Sequence, residues 1–310
     1  MLAKSLKKGD TIGIVVPSKP FNKDNKFELD NFIKYMNEQG IKVKLSKNLY
    51  KIDKYGVCAG TPKERADDIN SMFEDKNINA IWCLQGGDPA NQILEYLDFD
   101  IIKNNPKLFL GKSDIDILLL VLNKFTGLIT IHTCDTKIGS NKELDFEYTK
   151  NWFKKRLFEK SKIIEPSENW TCINKGKTSG KVEGKIIGCN SISILKLAGT
   201  KYFPDFTNSI LFLETFRSYP SQIIWQIEQL KQLGVFNKIK GIVIGSNFEF
   251  QSKNFKVEEI INELLSEYNF PILKINEFGH YQPHAFLPIG ANVELDAKNK
   301  TIKIIDDFLE

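Results

Sequence analysis

The sequence predicts an α/β fold, with a mostly parallel sheet and covering helices first and a second, mixed α+β domain behind it. Three observations carry this expectation. Short β-branched apolar runs alternate with segments of helical period over roughly the first 135 residues, the pattern of βαβ units. Those apolar runs end in turns or chain breakers. After about residue 140 the alternation stops, and a Gly-rich stretch of short alternating runs follows.

The elements can be justified in order. "TIGIVVPS" (11–18) is an apolar run stopped by Pro17, a buried strand feeding a loop. "KFELDNFIKYMNEQG" (26–40) has apolar residues at helical spacing and a Gly stop. "IKVKLSK" (41–47) alternates and reads as a strand. "TPKERADDINSMFED" (61–75) opens with Thr61, Pro62 and Glu64, a capping box with Pro at the first helical position. "INAIWCL" (78–84) is a buried strand that runs into "QGGDPA", with a helix expected from about Asn91. "KLFLG", "DILLLVLNKFTG" and "LITIHT" continue as strand, helix and strand. Beyond 140, "NKELDFEYTKNWFKKRLFEK" reads as a polar helix and "SENWTCINKGKTSGKVEGKIIGCN" as turns and short strands. "ISILKLAGT" reads as a helix, and "SILFLET" and "IKGIVIGS" as strands flanking the helix "SQIIWQIEQLKQLG". The last segment reads as two strands around a turn. The domain boundary is expected within 150–175, giving domains 1–160 and 161–310.

Composition excludes several function classes. The 310 residues are 42% hydrophobic and 26% charged, an ordinary globular balance. Net charge is +4, spread without a basic stripe, so no nucleic-acid partner is expected. No apolar run is long enough to span a membrane, and the first residues lack a secretory pattern. A cytoplasmic location is expected. The five cysteines are scattered and form no C-x-x-C pair, which points to free buried thiols. No dinucleotide or phosphate-binding glycine motif is present, so no cofactor is expected.

Parallel sheets bind ligands at the carboxyl ends of their strands. Three such exits carry chemistry here: Pro17-Ser18, Gly86-Gly87-Asp88 and Gly111-Lys112-Ser113-Asp114. Ser113 has two readings. Ser113 and Asp116 form a capping-box-like pair before an apolar run. Equally, a serine on a strand-to-helix elbow is an exposed nucleophile, beside helix N–H groups that can hold an oxyanion. A serine needs a base, and the chain has three histidines. His132 follows a buried strand, as a core residue or a neighbour of the site. His280 and His284 share i, i+4 spacing, but Pro283 and Gly279 argue against the helix that would make them metal ligands. His280, in a loop, suits a base. Glu214 ends "SILFLE" and is the candidate to orient an imidazole. Cys83 and Cys134 sit in or beside apolar runs, as nucleophiles or as small hydrophobes. Gly87 and Asp88 form a tight turn that can also present N–H groups to a carbonyl.

Taken together, "LKKGDTIGIVVPS", "AGTPKERADDIN", "INAIWCLQGGDPANQILEYLDFDIIKNNPKLFLGKSDI", "TGLITIHT", "GKIIGCNSISILKLAGT", "SILFLE" and "GH…LPIGA" resemble the LD-carboxypeptidases. That serine peptidase family also contains the microcin C immunity peptidases. The resemblance implies an amino-terminal flavodoxin-like domain, of the class I glutamine amidotransferase type, and a smaller β-rich carboxyl-terminal α+β domain. It implies a triad of Ser113, Glu214 and His280, with an oxyanion hole from the backbone of Asp114, Gly87 and Asp88. No metal is implied, and a homodimer is. The implied reaction releases terminal D-alanine from cytoplasmic muropeptide tetrapeptides during peptidoglycan recycling. The alternatives are immunity-type hydrolysis of aminoacyl or peptidyl nucleotide toxins, and a small-molecule-binding relative without activity. The partner is thus a small peptide or peptidyl-nucleotide substrate. Departures from the family pattern cluster near the expected substrate pocket: Asp88-Pro89 after the Gly pair, "HTCD" for "HGP", "GCN" for "GGN", and "TFRSYPSQ" after the LFLE strand. Trp170 in "PSENWT" is either a stacking platform for a base or a packed aromatic.

Overall fold

The chain is described from a computed structural model covering residues 1–174 and 181–310. The first half forms strands β1 (Thr11–Val15), β2 (Lys42–Leu45), β3 (Ala80–Cys83), β4 (Leu108–Gly111) and β5 (Thr130–His132), alternating with helices. The helices are α1 (Lys26–Glu38), α2 (Pro62–Glu74), α3 (Phe99–Asn104) and α4 (Asp116–Thr126). Each buries the face its sequence period marks; in α1 these residues include Leu29, Phe32 and Met36. Thr61 and Glu64 form the predicted capping box of α2, with Pro62 at the first turn. A left-handed Gly127 ends α4.

The second half adds α5 (Glu147–Leu157), β6 (Thr171–Cys172), β7 (Val182–Asn190), α6 (Ser191–Leu195), β8 (Ile210–Phe216), α7 (Pro220–Gln232), β9 (Gly241–Phe248), α8 (Val257–Leu264) and β10 (Ile272–Lys274). It ends in β11 (Leu287–Ile289), β12 (Asn292–Asp296) and β13 (Thr301–Ile304). The Gly-rich segment expected to hold turns and short strands is partly described, as β6 and β7. Its residues 175–180 lie outside the described residues.

Two sheets result. The first has strand order β11-β5-β4-β3-β1-β2, with β5 through β2 all parallel. That is the flavodoxin-type order, whose switch point lies between β1 and β3. The second has order β13-β12-β7-β8-β9-β10-β6, parallel through β7, β8, β9 and β10 and antiparallel at its margins. Short β11 comes from the carboxyl-terminal segment yet pairs antiparallel with β5 in the first sheet. It therefore stitches the end of the chain onto the amino-terminal core.

Two expectations need correction. The helix foreseen from about Asn91 is a tight 3-10 stretch, Ala90–Tyr96, followed by a separate α3. Asp98 breaks the run because its carboxylate accepts the N–H groups of Asp100 and Ile101 and so caps a new helix. The final two strands, β12 and β13, form as read, but the LPI segment ahead of them is a third strand that joins the other sheet.

Helix α4 lies between the sheets and is buried from Asp116 to Leu122. This explains its nearly continuous apolar sequence, since no face is left for solvent. On the opposite side of the first sheet Trp82 stacks on Phe153 at 5.9 Å and donates its indole N–H to the Cys134 carbonyl at 2.8 Å. At Gly188, on β7, φ is +142° and any Cβ would collide with the Phe212 carbonyl of β8. Gly188→Ala is expected to destabilise the protein by about 3 kcal/mol or more. Urea unfolding measures this, and an unchanged midpoint would show that β7 relaxes freely there.

Candidate active site

Ser113 lies where β4 turns into α4. Its φ is +64°, a left-handed conformation that costs a non-glycine residue about 1–2 kcal/mol. The capping reading is overturned. Ser113 starts a 3-10 turn, and α4 begins with Ile115 at its N-cap position and no side-chain cap. The left-handed backbone is the reason, because a capping residue needs an extended one. Asp116 turns instead toward the second sheet, where its Oδ2 accepts the Asn190 N–H at 3.1 Å.

The elbow is anchored from several sides. The neighbouring Lys112 pairs with Glu143, both buried. Burial alone would pull the Lys112 ammonium down, but Glu143 and Asp135 outweigh it and the pKa is raised. The Glu143 carboxyl is correspondingly held down to about 2 by Lys112, against its own burial. On the other flank Asp114 accepts from the Ser18 hydroxyl at 2.6 Å and the Ala90 N–H at 2.7 Å. From the second half, the Ser193 hydroxyl donates to the Ser113 carbonyl at 3.1 Å.

Gly86 closes over the elbow. A Cβ there would stand 2.8 Å from Ser113 Cβ, 3.0 Å from its Oγ and 3.3 Å from the Asp114 nitrogen. A Cβ at Gly87 would run into Ser18 and Lys19. The absence of a side chain thus lets Gly86 lie directly against the serine and the backbone nitrogen of Asp114, while Gly87 lies against Ser18 and Lys19.

Glu214 and His280 meet. His280 Nδ1 lies 2.9 Å from Glu214 Oε2, and the carboxylate is fully buried within β8, where the register of the strand shifts. A carboxylate only accepts, so the Nδ1 proton of His280 faces Glu214. The other Glu214 oxygen accepts from the Asn190 side chain at 2.7 Å. Behind the imidazole, Phe216 stacks at 4.3 Å between centroids. The Ser246 hydroxyl accepts the N–H groups of His280 at 2.8 Å and Tyr281 at 3.2 Å. The hydrogen bonds of His280 run to Glu214 and Ser246, and none reaches Ser113 Oγ.

The other histidines are interior groups. His132 and Asp116 stand 3.6 Å apart, in the geometry of an ion pair. Burial, reinforced by the charge of Glu214, raises the Asp116 carboxyl well above its usual range. Burial, reinforced by the neighbouring His284, holds the His132 imidazole well below its usual value. Both shifts favour the neutral forms, so burial works against a charged pair at this contact. His284 is enclosed in a loop, not a helix. Its Nδ1 lies 2.6 Å from the Ala285 carbonyl, and its Nε2 lies 2.8 Å from the Gly279 carbonyl and 3.2 Å from the Gly279 nitrogen. It thereby holds the residue before His280. Among the described residues no group of three His, Cys, Asp or Glu side chains is arranged to hold a metal. Burial pushes the Cys83 and Cys134 thiols up, as expected of small hydrophobes. Trp170 is buried and donates to Glu277 at 2.8 Å, so its packed reading holds.

Several residues here escape sequence reasoning. Asn190 ends β7, Ser193 lies within α6 and Ser246 within β9, and their type alone marks nothing. Ser18 had a signal, since it follows the β1 exit at Pro17.

The comparisons agree with one another. Residues 12–133 match the family described as the LD-carboxypeptidase N-terminal domain, and residues 183–295 match the LD-carboxypeptidase C-terminal domain. The chain is 30% identical to a probable murein peptide carboxypeptidase of Bacillus subtilis, covering 97% of this chain and 93% of that protein. It is 30% identical to the microcin C7 self-immunity protein MccF of Escherichia coli, covering 100% and 97%. Among solved structures, MccF in complex with aspartyl sulfamoyl adenosine superposes with a TM-score of 0.91 at 29% identity, over 100% of each chain. A muramoyltetrapeptide carboxypeptidase from Oxalobacter formigenes gives 0.79 at 23% identity, over 97% and 100%, a likeness of fold alone.

A pH prediction follows from His284, whose pKa is pulled down to about 4 by burial and then by the Lys112 charge. Unfolded histidine takes its proton near pH 6.5. The unfolded state thus binds more protons between 6.5 and 4, and stability falls as pH falls through that window, by up to about 3 kcal/mol from this group. His284→Asn should flatten that part of the curve in urea titrations at a series of pH values. An identical pH slope in the variant would contradict the assignment.

Proposed function

This chain belongs to the LD-carboxypeptidase family of serine-type carboxypeptidases, and on that premise we propose that it hydrolyses an amide bond through a covalent acyl-enzyme at Ser113. The observation that supports the reading is the His280 imidazole paired with the buried Glu214 carboxylate, in a chain that also holds Ser113 left-handed on an elbow. Ser113 Oγ attacks the carbonyl carbon while His280 Nε2 takes its proton. Glu214 fixes the tautomer and stabilises the imidazolium. The oxyanion is held by the backbone N–H groups of Asp114 and of the Gly87–Asp88 turn. The leaving amine takes the proton from His280, and water activated by the same imidazole releases the acid and restores the serine.

The substrate we propose is a cytoplasmic muropeptide tetrapeptide, from which terminal D-alanine is released in peptidoglycan recycling, with the enzyme acting as a homodimer. A second reading, hydrolysis of an aminoacyl or peptidyl nucleotide, is favoured by a different observation. A cavity of about 550 Å³ adjoins the His280 turn, lined by Phe248, Phe250, Phe255 and Tyr281 together with Asn247 and Ser246. Aromatic walls with a few amides suit a nucleobase, and the similar MccF has been solved with aspartyl sulfamoyl adenosine. No described helix is long and apolar enough to cross a membrane.

Mass spectrometry of the protein incubated with each substrate tests both readings. Loss of D-alanine alone supports the first, and cleavage of an aminoacyl sulfamoyl adenosine alone supports the second. With whichever substrate turns over, Ser113→Ala should lower kcat by about a thousandfold or more. Full hydrolysis by that variant would end the proposed mechanism. Gly86→Ala should cut kcat by about a hundredfold by pressing a methyl group onto Ser113, read against thermal unfolding to confirm an intact fold.

A further inference from the structure

Lys196 follows α6 in the second half, yet its ammonium sits in the first. It donates to the Asp88 carbonyl at 2.7 Å and to Asp114 Oδ1 at 3.0 Å. The Asp88 carboxylate is 3.6 Å away but almost fully exposed, so it adds little. The Asp114 side chain, by contrast, is 1% exposed, while that of Lys196 is 25% exposed. A buried carboxylate needs a cation as well as hydrogen bonds. Among the described residues Lys196 is the cation in ion-pair contact with Asp114. Arg65 lies near enough to act through space, but its own hydrogen bonds go to the Pro17 and Pro89 carbonyls and to Gln92.

The two groups that Lys196 holds belong to the two sides of the oxyanion site. Asp114 follows the nucleophile and carries one donor. Asp88 belongs to the turn that carries the other. One ammonium thus spans both, from an element of the opposite half of the chain. We propose that Lys196 is a positioning residue that sets the spacing of the two oxyanion donors, and so makes their register depend on how the carboxyl-terminal half docks. This rests on the acyl-enzyme reading above. It touches neither substrate nor the reacting atoms.

The chemistry defines the test. Methionine keeps much of the length but loses charge and donors, whereas arginine keeps both. Lys196→Met should leave the fold intact by thermal unfolding and lower kcat about 10- to 100-fold, with KM changed less than about threefold. Lys196→Arg should recover most of that loss. Backbone hydrogen exchange, read by mass spectrometry in the segments around 84–92 and 111–118, should speed up about tenfold in Lys196→Met and stay near wild type in Lys196→Arg. This second readout needs no substrate, so it separates the two claims. Faster exchange in a protein whose wild type cleaves neither substrate supports the positioning role and removes the acyl-enzyme reading. Unchanged exchange in both segments, a loss confined to KM, or equal defects in the Met and Arg variants would overturn the proposal.

Discussion

The Asp114 carboxylate is a buried anion, and the geometry around the serine elbow depends on how it is satisfied. Its two oxygens collect a hydroxyl from the β1 exit, an N–H from the segment after β3 and an ammonium from the residue after α6. Each donor lies on a different element, so neutralising one charge fixes three segments relative to one another. The strain at Ser113 is tolerable for the same reason. A left-handed serine persists where its neighbours over-determine it. Here Asp114 on one side and the buried Lys112–Glu143 pair on the other do so.

The candidate residues are drawn from two sheets, and polar contacts link the sheets alongside apolar burial. From Asp116 the chain of hydrogen bonds runs through the Asn190 backbone, then its side chain, to Glu214 and on to His280. Burial and the nearby Glu214 push the Asp116 carboxyl up, which disfavours a second charge on this line. His132 and His284 are likewise kept neutral in the interior. They stack against one another at 5.4 Å, and His284 supports the turn that presents His280. Three histidines of identical chemistry thus have three different environments, and only His280 is paired with a carboxylate at hydrogen-bond distance.

Much of this was legible beforehand. The alternation of "TIGIV", "AIWC" and "LFLG" with helical segments gave the parallel sheet because period and breakers are local properties. Thr61, Pro62 and Glu64 announced the start of α2 for the same reason. Ser113 was ambiguous in principle, since Ser-x-x-Asp satisfies both a cap and an elbow. The sign of one backbone dihedral separates them, and a sequence pattern does not encode it. Asp98 caps α3 within a stretch whose helical period does not mark the break. Ser193 and Lys196 carry no signal of their own, because their importance lies in groups 80 to 108 residues away.

By itself the sequence determined the element order, the parallel character of the first sheet and the residue types available for acyl transfer. It did so because turn chemistry and hydrophobic period act over a few residues. Tertiary structure alone decided which of those residues meet. It placed β11 in the first sheet, paired Glu214 with His280, and enclosed His132 and His284 where their charged forms are disfavoured. It also brought Lys196 onto Asp114 and Asp88. Those outcomes depend on desolvation and on contacts between distant segments, and both come into being only when the two sheets close on α4.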